Sequence, residues 1–209
     1  MASEPVGAVS PAVLLVEDDA ALRGYLASAL ADAGFAVQTA QDRIGAVSAM
    51  ALASAPAMVV LDLGLPPNPS TAREGLQALQ DILRLQPPTK IIVLTGQDES
   101  AAAQEAVRLG AFDFLTKPAA IAVLLQSLRR AHLFATEEAR MVLRGEARIA
   151  VTVRVSDGPK EAGALAEEQL LRRSMAAAGH NVSLAARQLG IAREHLYYYL
   201  NKYGIQRPD

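Results

Sequence analysis

Between residues 11 and 133, short runs of consecutive apolar side chains alternate with longer amphipathic stretches. The runs VLLV, MVVL and IIVL, with weaker ones beside them, predict strands at 12–16, 35–39, 58–61, 90–94 and 112–115. The stretches between them space their apolar residues at helical intervals and predict helices at 20–33, 43–53, 74–85, 99–109 and 121–133. Strands buried on both faces read as continuous Val/Ile/Leu runs rather than as alternation. Five such strands alternating with five helices predict an α/β fold, a doubly wound five-stranded parallel sheet with right-handed crossovers. In such sheets ligands bind beyond the carboxyl ends of the strands. The residues at which each apolar run stops are therefore where chemistry is expected.

Past residue 133 the pattern changes. The last of these helices can run on as a stem through Phe134, Met141 and Val142 to Gly145. Ile149, Val151, Val153 and Val155 then alternate with polar or small residues, which predicts a strand at 149–155. A lone strand needs a partner, such as the same strand of a second subunit. Asp157-Gly158-Pro159 predicts a turn. The last fifty residues read as three helices. The first, 160–178, turns Leu165, Leu170 and Leu171 inward and ends at Gly179. Asn181 caps a short one at 182–189, which stops at Gly190, and a third at 192–203 ends at Gly204. Two short helices joined by a tight glycine turn make a helix-turn-helix. The expected organisation is a flexible N-terminus (1–10), an α/β domain (11–133), a linker (134–163) and a small all-α domain (164–209).

Composition narrows the possibilities. Of 209 residues 51% are hydrophobic, enough for packed cores, which excludes wholesale disorder. The absence of cysteine excludes a disulfide framework and thiolate metal sites, and suits a reducing cytoplasm. The opening residues lack the basic start and cleavage site of a secretory signal. The longest uncharged stretch, 44–61, is alanine-rich and broken by Pro56, so no membrane span is expected. These features predict a soluble, cytoplasmic chain. The formal net charge of −2 is unevenly spread: residues 1–133 hold 9 basic and 13 acidic side chains, residues 160–209 hold 7 and 5. An acidic front and a mildly basic tail confine any nucleic-acid contact to the tail.

The strand ends carry the chemistry. The first strand stops at Glu17-Asp18-Asp19, the third at Asp62, the fourth at Thr95 and the fifth at Lys117-Pro118. Taken singly, each is an ordinary cap or turn residue. Together they lie at one edge of the sheet. Three close carboxylates repel one another unless a cation sits among them, and oxygen ligands open to water favour Mg²⁺. An aspartate beside that ion can attack phosphorus in line, with Lys117 neutralising the equatorial oxygens and the Thr95 hydroxyl bonding one of them. That set describes a phosphoacceptor site.

The segments LLVEDD, VVLDLGLP, VLTG and FLTKP together resemble the receiver domain of two-component response regulators, over residues 11–133. The resemblance implies a flavodoxin-like fold, with Asp62 as the phosphoacceptor for a sensor histidine kinase. It also implies that Glu17, Asp18, Asp62 and the Gly64 carbonyl hold Mg²⁺, that Thr95 and Phe114 form a switch pair, and that the Lys117–Pro118 bond is cis. Two features depart from the usual receiver pattern. The loop between Pro66 and Gly75 is about five residues longer than usual, and Gly64 and Gln97 flank the site where larger or acidic groups are common.

The tail, from NVSLAARQLGI to LYYYLNKYGI, resembles the Fis-type helix-turn-helix of bacterial regulators. That resemblance implies a homodimer built on the first of the three helices, with recognition helices in successive major grooves of a pseudo-palindromic operator in double-stranded DNA. Carried over by position, Arg193, His195, Tyr197 and Tyr198 face DNA, while Ser183 and Lys202 contact phosphate. Such helices usually carry Arg or Lys at 197–199, where this chain has three tyrosines. Tyrosine adds no counterion release, so weaker salt dependence is expected. Tyr199 and Tyr203 are expected to pack into the core.

The expected function is therefore a phosphorylation-controlled transcriptional regulator that acts by binding and not as an enzyme. No GxxxxGK[ST] motif is present, so ATP hydrolysis is not expected. Two rivals stand beside it. A phosphatase of the haloacid-dehalogenase kind needs a second Asp two residues after the nucleophile, where this chain has Gly64. The other rival is a receiver-based adaptor for a protein partner, with a tail that only dimerises.

Overall fold

A computed structural model of the chain describes residues 10–52, 54–96 and 100–205. Apart from Ser10, the expected flexible N-terminus lies outside the described residues, as does Gln97. The strands are β1 (Ala12–Val16), β2 (Ala36–Ala40), β3 (Met58–Asp62), β4 (Lys90–Thr95) and β5 (Asp113–Thr116). The helices between and after them are α1 (Ala20–Asp32), α2 (Arg43–Met50), α3 (Arg73–Leu85), α4 (Ser100–Arg108) and α5 (Ile121–Leu143). The strands form one parallel sheet in the order β2-β1-β3-β4-β5.

The inner strands are almost wholly apolar because both faces of the sheet are covered, whereas the edge strands β2 and β5 are partly exposed and carry polar residues. Alternate residues serve opposite layers. Leu14, Val16, Val59, Leu61, Ile91 and Val93 pack against α2, α3 and α4, and Val13, Leu15, Val60, Ile92 and Leu94 pack against α1 and α5. The strand order reverses direction between β1 and β3. A crevice therefore opens there at the carboxyl ends. Glu17 and Asp62 stand on its two sides.

Helix α5 runs 23 residues, the continuous stem read from the sequence. The expected strand at 149–155 does not form. Residues 146–154 adopt no regular structure, and Val155–Asp157 is a single 3₁₀ turn. Period-two alternation makes a strand only where a sheet edge can take up its backbone groups. Here the Ala150 N–H donates instead to the Gln169 side chain at 2.8 Å, and Val155 is 96% exposed.

The tail is three helices, α6 (Gly158–Ala177), α7 (Val182–Leu189) and α8 (Arg193–Lys202). Pro159 lies in the first turn of α6, where its missing N–H costs nothing, so the expected turn at 157–159 is the start of the helix. Of the three leucines expected to point inward, Leu171 is buried and Leu165 partly so, whereas Leu170 is exposed. Adjacent helical residues lie about 100° apart, so they cannot share one narrow face. The tail's core joins Leu171, Met175, Ala185, Leu196, Leu200 and Ile205, with Tyr199 and Tyr203 packed against it as expected. Asn181 caps α7 by accepting from the Leu184 N–H at 3.0 Å, and Gly190, at φ 67°, makes the turn to α8. A residue with a Cβ is strained at that angle.

Candidate functional site

The acidic pocket is assembled by three strand ends. Glu17 follows β1, Asp62 closes β3, and Lys117 follows β5. Glu17 is 1% exposed and Asp62 6%, while Asp18 opens further to solvent. The loop after β1 is tied down from beneath: Arg23 Nη1 donates to the carbonyls of Glu17, at 2.6 Å, and Asp18, at 3.0 Å. Asp19, the third acid of the trio, does not join the pocket. Its side chain caps α1 by accepting from the Leu22 N–H at 2.8 Å.

Carboxylate oxygens of Glu17, Asp18 and Asp62 all lie within 4.8 Å of one another. Lys117 Nζ reaches Glu17 Oε2 at 2.8 Å and Asp62 Oδ2 at 2.9 Å. Burial pushes the Glu17 carboxyl above its ordinary pKa, and the neighbouring Asp62 adds to the shift despite the Lys117 hydrogen bond. Burial opposes the charge on Lys117, but its bonds to Glu17 and Asp62 overcome it and hold the ammonium above its usual value. One ammonium thus bonds two of the three carboxylates. The donor set is oxygen only and partly open to water, which suits a hard divalent cation that keeps some of its own water.

Thr95, the last residue of β4, is buried beside the pocket, and the Lys117 N–H donates to its carbonyl at 2.7 Å. The Lys117–Pro118 peptide is cis. Phe114 on β5 is 44% exposed, a surface aromatic and not a core one. Two glycines close the rear of the pocket. A Cβ on Gly64 would sit 2.9 Å from the Pro69 carbonyl oxygen, so the long 67–74 loop folds back over it. A Cβ on Gly75 would sit 2.3 Å from Leu63 Cα and 2.9 Å from the Asp62 carbonyl oxygen, so α3 abuts the backbone that carries Asp62. Read along the chain, Gly75 marks only the end of a loop. Its closeness to Asp62 exists only in three dimensions.

In the tail, Ser183 on α7 and Arg193, His195, Tyr198 and Lys202 on α8 are all exposed, and Tyr197 is partly so. Arg193 donates to the Tyr197 hydroxyl from Nε at 3.1 Å and Nη2 at 2.7 Å, with its guanidinium over the ring. Lys202 Nζ pairs with Glu167 of α6 at 2.7 Å. Glu167, together with Tyr203, holds its ammonium above the usual value.

The response regulator receiver domain family model matches residues 13–129, more than half of the chain, and the chain belongs to that family. A second model, the bacterial regulatory protein Fis family, matches residues 164–203. Among curated relatives, the photosynthetic apparatus regulatory protein RegA of Cereibacter sphaeroides is 38% identical over 51% of this chain. The C4-dicarboxylate transport transcriptional regulatory protein DctD of Rhizobium meliloti is 33% identical over 64% of it. The chain spans 55% of the first and 27% of the second. The receiver domain of NtrX from Brucella abortus superposes at a TM-score of 0.52 with 32% identity, over 57% of this chain and 96% of that one. A response regulator from Burkholderia pseudomallei, solved with a phosphorylated aspartic acid, calcium ion and citrate, matches at 0.50 with 27% identity. The match covers 94% of this chain and 99% of that one. No described helix is long and apolar enough to cross a membrane.

Proposed function

We propose that this chain is a DNA-binding response regulator of a two-component system, switched by phosphorylation of Asp62. The observation that carries the proposal is Lys117 bridging Glu17 and Asp62 in a three-carboxylate pocket, within a chain that also holds a helix-turn-helix. The Asp62 carboxylate attacks the phosphorus of a phosphohistidine on a sensor kinase; a P–O bond forms and the P–N bond breaks. Glu17, Asp18, Asp62 and the Gly64 carbonyl are the ligands for Mg²⁺, which supplies charge neutralisation at the phosphoryl oxygens. Lys117 leaves its carboxylate partners to pair with one phosphoryl oxygen, and the Thr95 hydroxyl donates to another. Thr95 then carries the change toward the exposed Phe114, which makes the β5 side of the receiver the surface that reports the state of Asp62.

The output is dimeric binding of a pseudo-palindromic operator, with α8 in the major groove. Arg193, His195, Tyr197 and Tyr198 of α8, exposed or partly so, are the DNA contacts, with Ser183 as a phosphate contact on α7. Lys202 also contacts phosphate, once it has given up Glu167. The phosphorylated aspartate of the Burkholderia pseudomallei protein, whose length this chain matches almost throughout, supports the same use of Asp62. The chain acts by binding and carries out no turnover chemistry of its own, as a cytoplasmic protein. The tyrosine-rich α8 and the pairing of Lys202 favour the rival in which the receiver serves a protein partner. One experiment separates the two readings: retention of sheared genomic DNA by the full chain, with and without beryllofluoride, followed by sequencing. Reproducible enrichment of a few pseudo-palindromic sites, stronger with beryllofluoride, is the expected result. No enrichment in either state overturns DNA output in favour of the adaptor.

A further inference from the structure

The end of the sheet opposite the acidic pocket holds a second cluster of charge. There the start of β4, the distal half of α5, the connection that follows it and α6 enclose a cleft of about 740 Å³. That volume is in the range of small-molecule sites. One buried carboxylate in its wall, Glu138 of α5, faces three cations from three separate segments. Lys90 Nζ of β4 lies 2.8 Å from it, Arg173 Nη1 of α6 lies at 3.4 Å and Arg148 Nη1 of the connection at 4.0 Å. The other arginines lining the cleft are each paired with an acid outside the group around Glu138, Asp81 being shared with Arg43. Arg84 pairs with Asp81, Arg108 with Glu105 and Arg172 with Glu168. Among the described residues, the group around Glu138 therefore holds three positive charges against one negative.

Burial makes that excess costly. It lowers the pKa of Lys90, and the neighbouring Arg173 and Arg148 push the same way against the bond from Glu138. A separate observation bears on the same cluster: among the described residues, the Arg173 Nε, itself buried, has no hydrogen-bond partner. A guanidinium N–H is an obligate donor, and leaving it unmade in a buried setting is unfavourable. Two surplus positive charges and an unused guanidinium donor, on side chains that line a cleft with room for a small molecule, are what a bound anion would satisfy.

We infer that this cleft is a binding site for a small polyanion, phosphate-bearing or polycarboxylate, held by Lys90, Arg148 and Arg173. Lys90 belongs to the sheet and Arg173 to the first helix of the tail, so the ligand ties the two parts of the chain together. The cleft and the acidic pocket lie at opposite ends of the parallel strands, so one is tested without engaging the other.

The test is calorimetric titration of the full chain with inorganic pyrophosphate, and separately with an organic tricarboxylate, at fixed ionic strength in EDTA. Saturable one-to-one binding is expected. Binding of pyrophosphate alone assigns the phosphate class, of the tricarboxylate alone the polycarboxylate class, and of both a site that reads charge. Arg173→Gln should weaken binding about tenfold or more, the usual loss when a charged hydrogen bond is removed. Arg148→Gln, at a side chain more than half exposed and so safe for the fold, should weaken it as well. Glu138→Gln should tighten binding several-fold, because it removes the competing carboxylate. That sign separates a ligand site from a purely structural ion cluster. Arg187→Gln, at an exposed position of α7 that does not line the cleft, should change nothing. Absence of saturable binding by either probe in the millimolar range overturns the site. So does binding that Arg148→Gln and Arg187→Gln lower equally, the mark of diffuse attraction.

Discussion

Lys117 Nζ lies 2.9 Å from Asp62 Oδ2, and the same nitrogen lies 2.8 Å from Glu17 Oε2. Fifty-five positions separate Lys117 from Asp62 and a hundred separate it from Glu17, yet one ammonium binds both carboxylates. The pairing holds Asp62 at the mouth of the crevice with little freedom to rotate. It also means that a cation or a phosphoryl group entering the pocket must re-partner Lys117.

If Asp62 is the nucleophile, Asp62→Ala forms no acyl phosphate. Intact-mass measurement after incubation with Mg²⁺ and a small phosphodonor should show the added phosphoryl mass on the wild type and none on the variant. Labelling that persists in Asp62→Ala would move the phosphoacceptor elsewhere. Removal of Mg²⁺ with EDTA should stop labelling of the wild type as well.

Gly75 has no room for a methyl group, since its Cβ would meet Leu63 Cα at 2.3 Å. Gly75→Ala must push α3 away from the backbone of Leu63 and Asp62. Overpacking of this kind costs about 1–3 kcal/mol. Urea denaturation should show the lower midpoint, and phosphorylation of Asp62 should slow with it. An unchanged midpoint would show that α3 yields freely at this contact.

Lys90 titrates below its usual 10.5 because burial disfavours its charge. The folded chain therefore gives up that proton before the unfolded chain does. Its contribution makes stability rise with pH, from the lowered folded value up to 10.5, and level off above. Lys90→Met removes that contribution. The wild-type urea midpoint should accordingly gain on that of Lys90→Met as pH is raised from neutrality toward 10.5. A constant offset across the range would contradict the lowered pKa.

Arg193 and Tyr197 share a hydrogen bond on α8, with 2.7 Å between Nη2 and the hydroxyl oxygen. If this face meets DNA, Arg193→Gln should weaken binding and lower the slope of log affinity against log salt by about 1. Tyr197→Phe removes the acceptor and keeps the charge, so it should leave the slope unchanged. Fluorescence anisotropy at several salt concentrations reads both.

Much of this was legible in the linear chain. The parallel sheet announced itself because strands buried on both faces must be apolar throughout, as VLLV, MVVL and IIVL are. The acidic crevice was legible too, since parallel strands bring all their carboxyl ends to one edge, whatever the crossovers do. The stem of α5 and the glycine-bounded helices of the tail follow from local propensity and capping, which act over a few neighbouring residues. Residues 149–155 were misleading for the opposite reason. Alternation records a face that can be buried, whereas a strand exists only if a partner edge is present. Leu170 failed similarly, because a helix admits only one of two adjacent leucines to a narrow core face.

What the order of residues settles is whatever depends on short-range periodicity and on the chemistry of each side chain. Tertiary structure alone decided the pairings that span long stretches of chain. It set Gly75 against the backbone of Asp62, tied Lys202 to Glu167 of α6, and gathered Lys90, Arg148 and Arg173 around Glu138. Each of these depends on distances between segments far apart in sequence, and no local pattern encodes such distances. They are set when whole helices and strands pack, and charge then finds its partners among the side chains that packing has brought together.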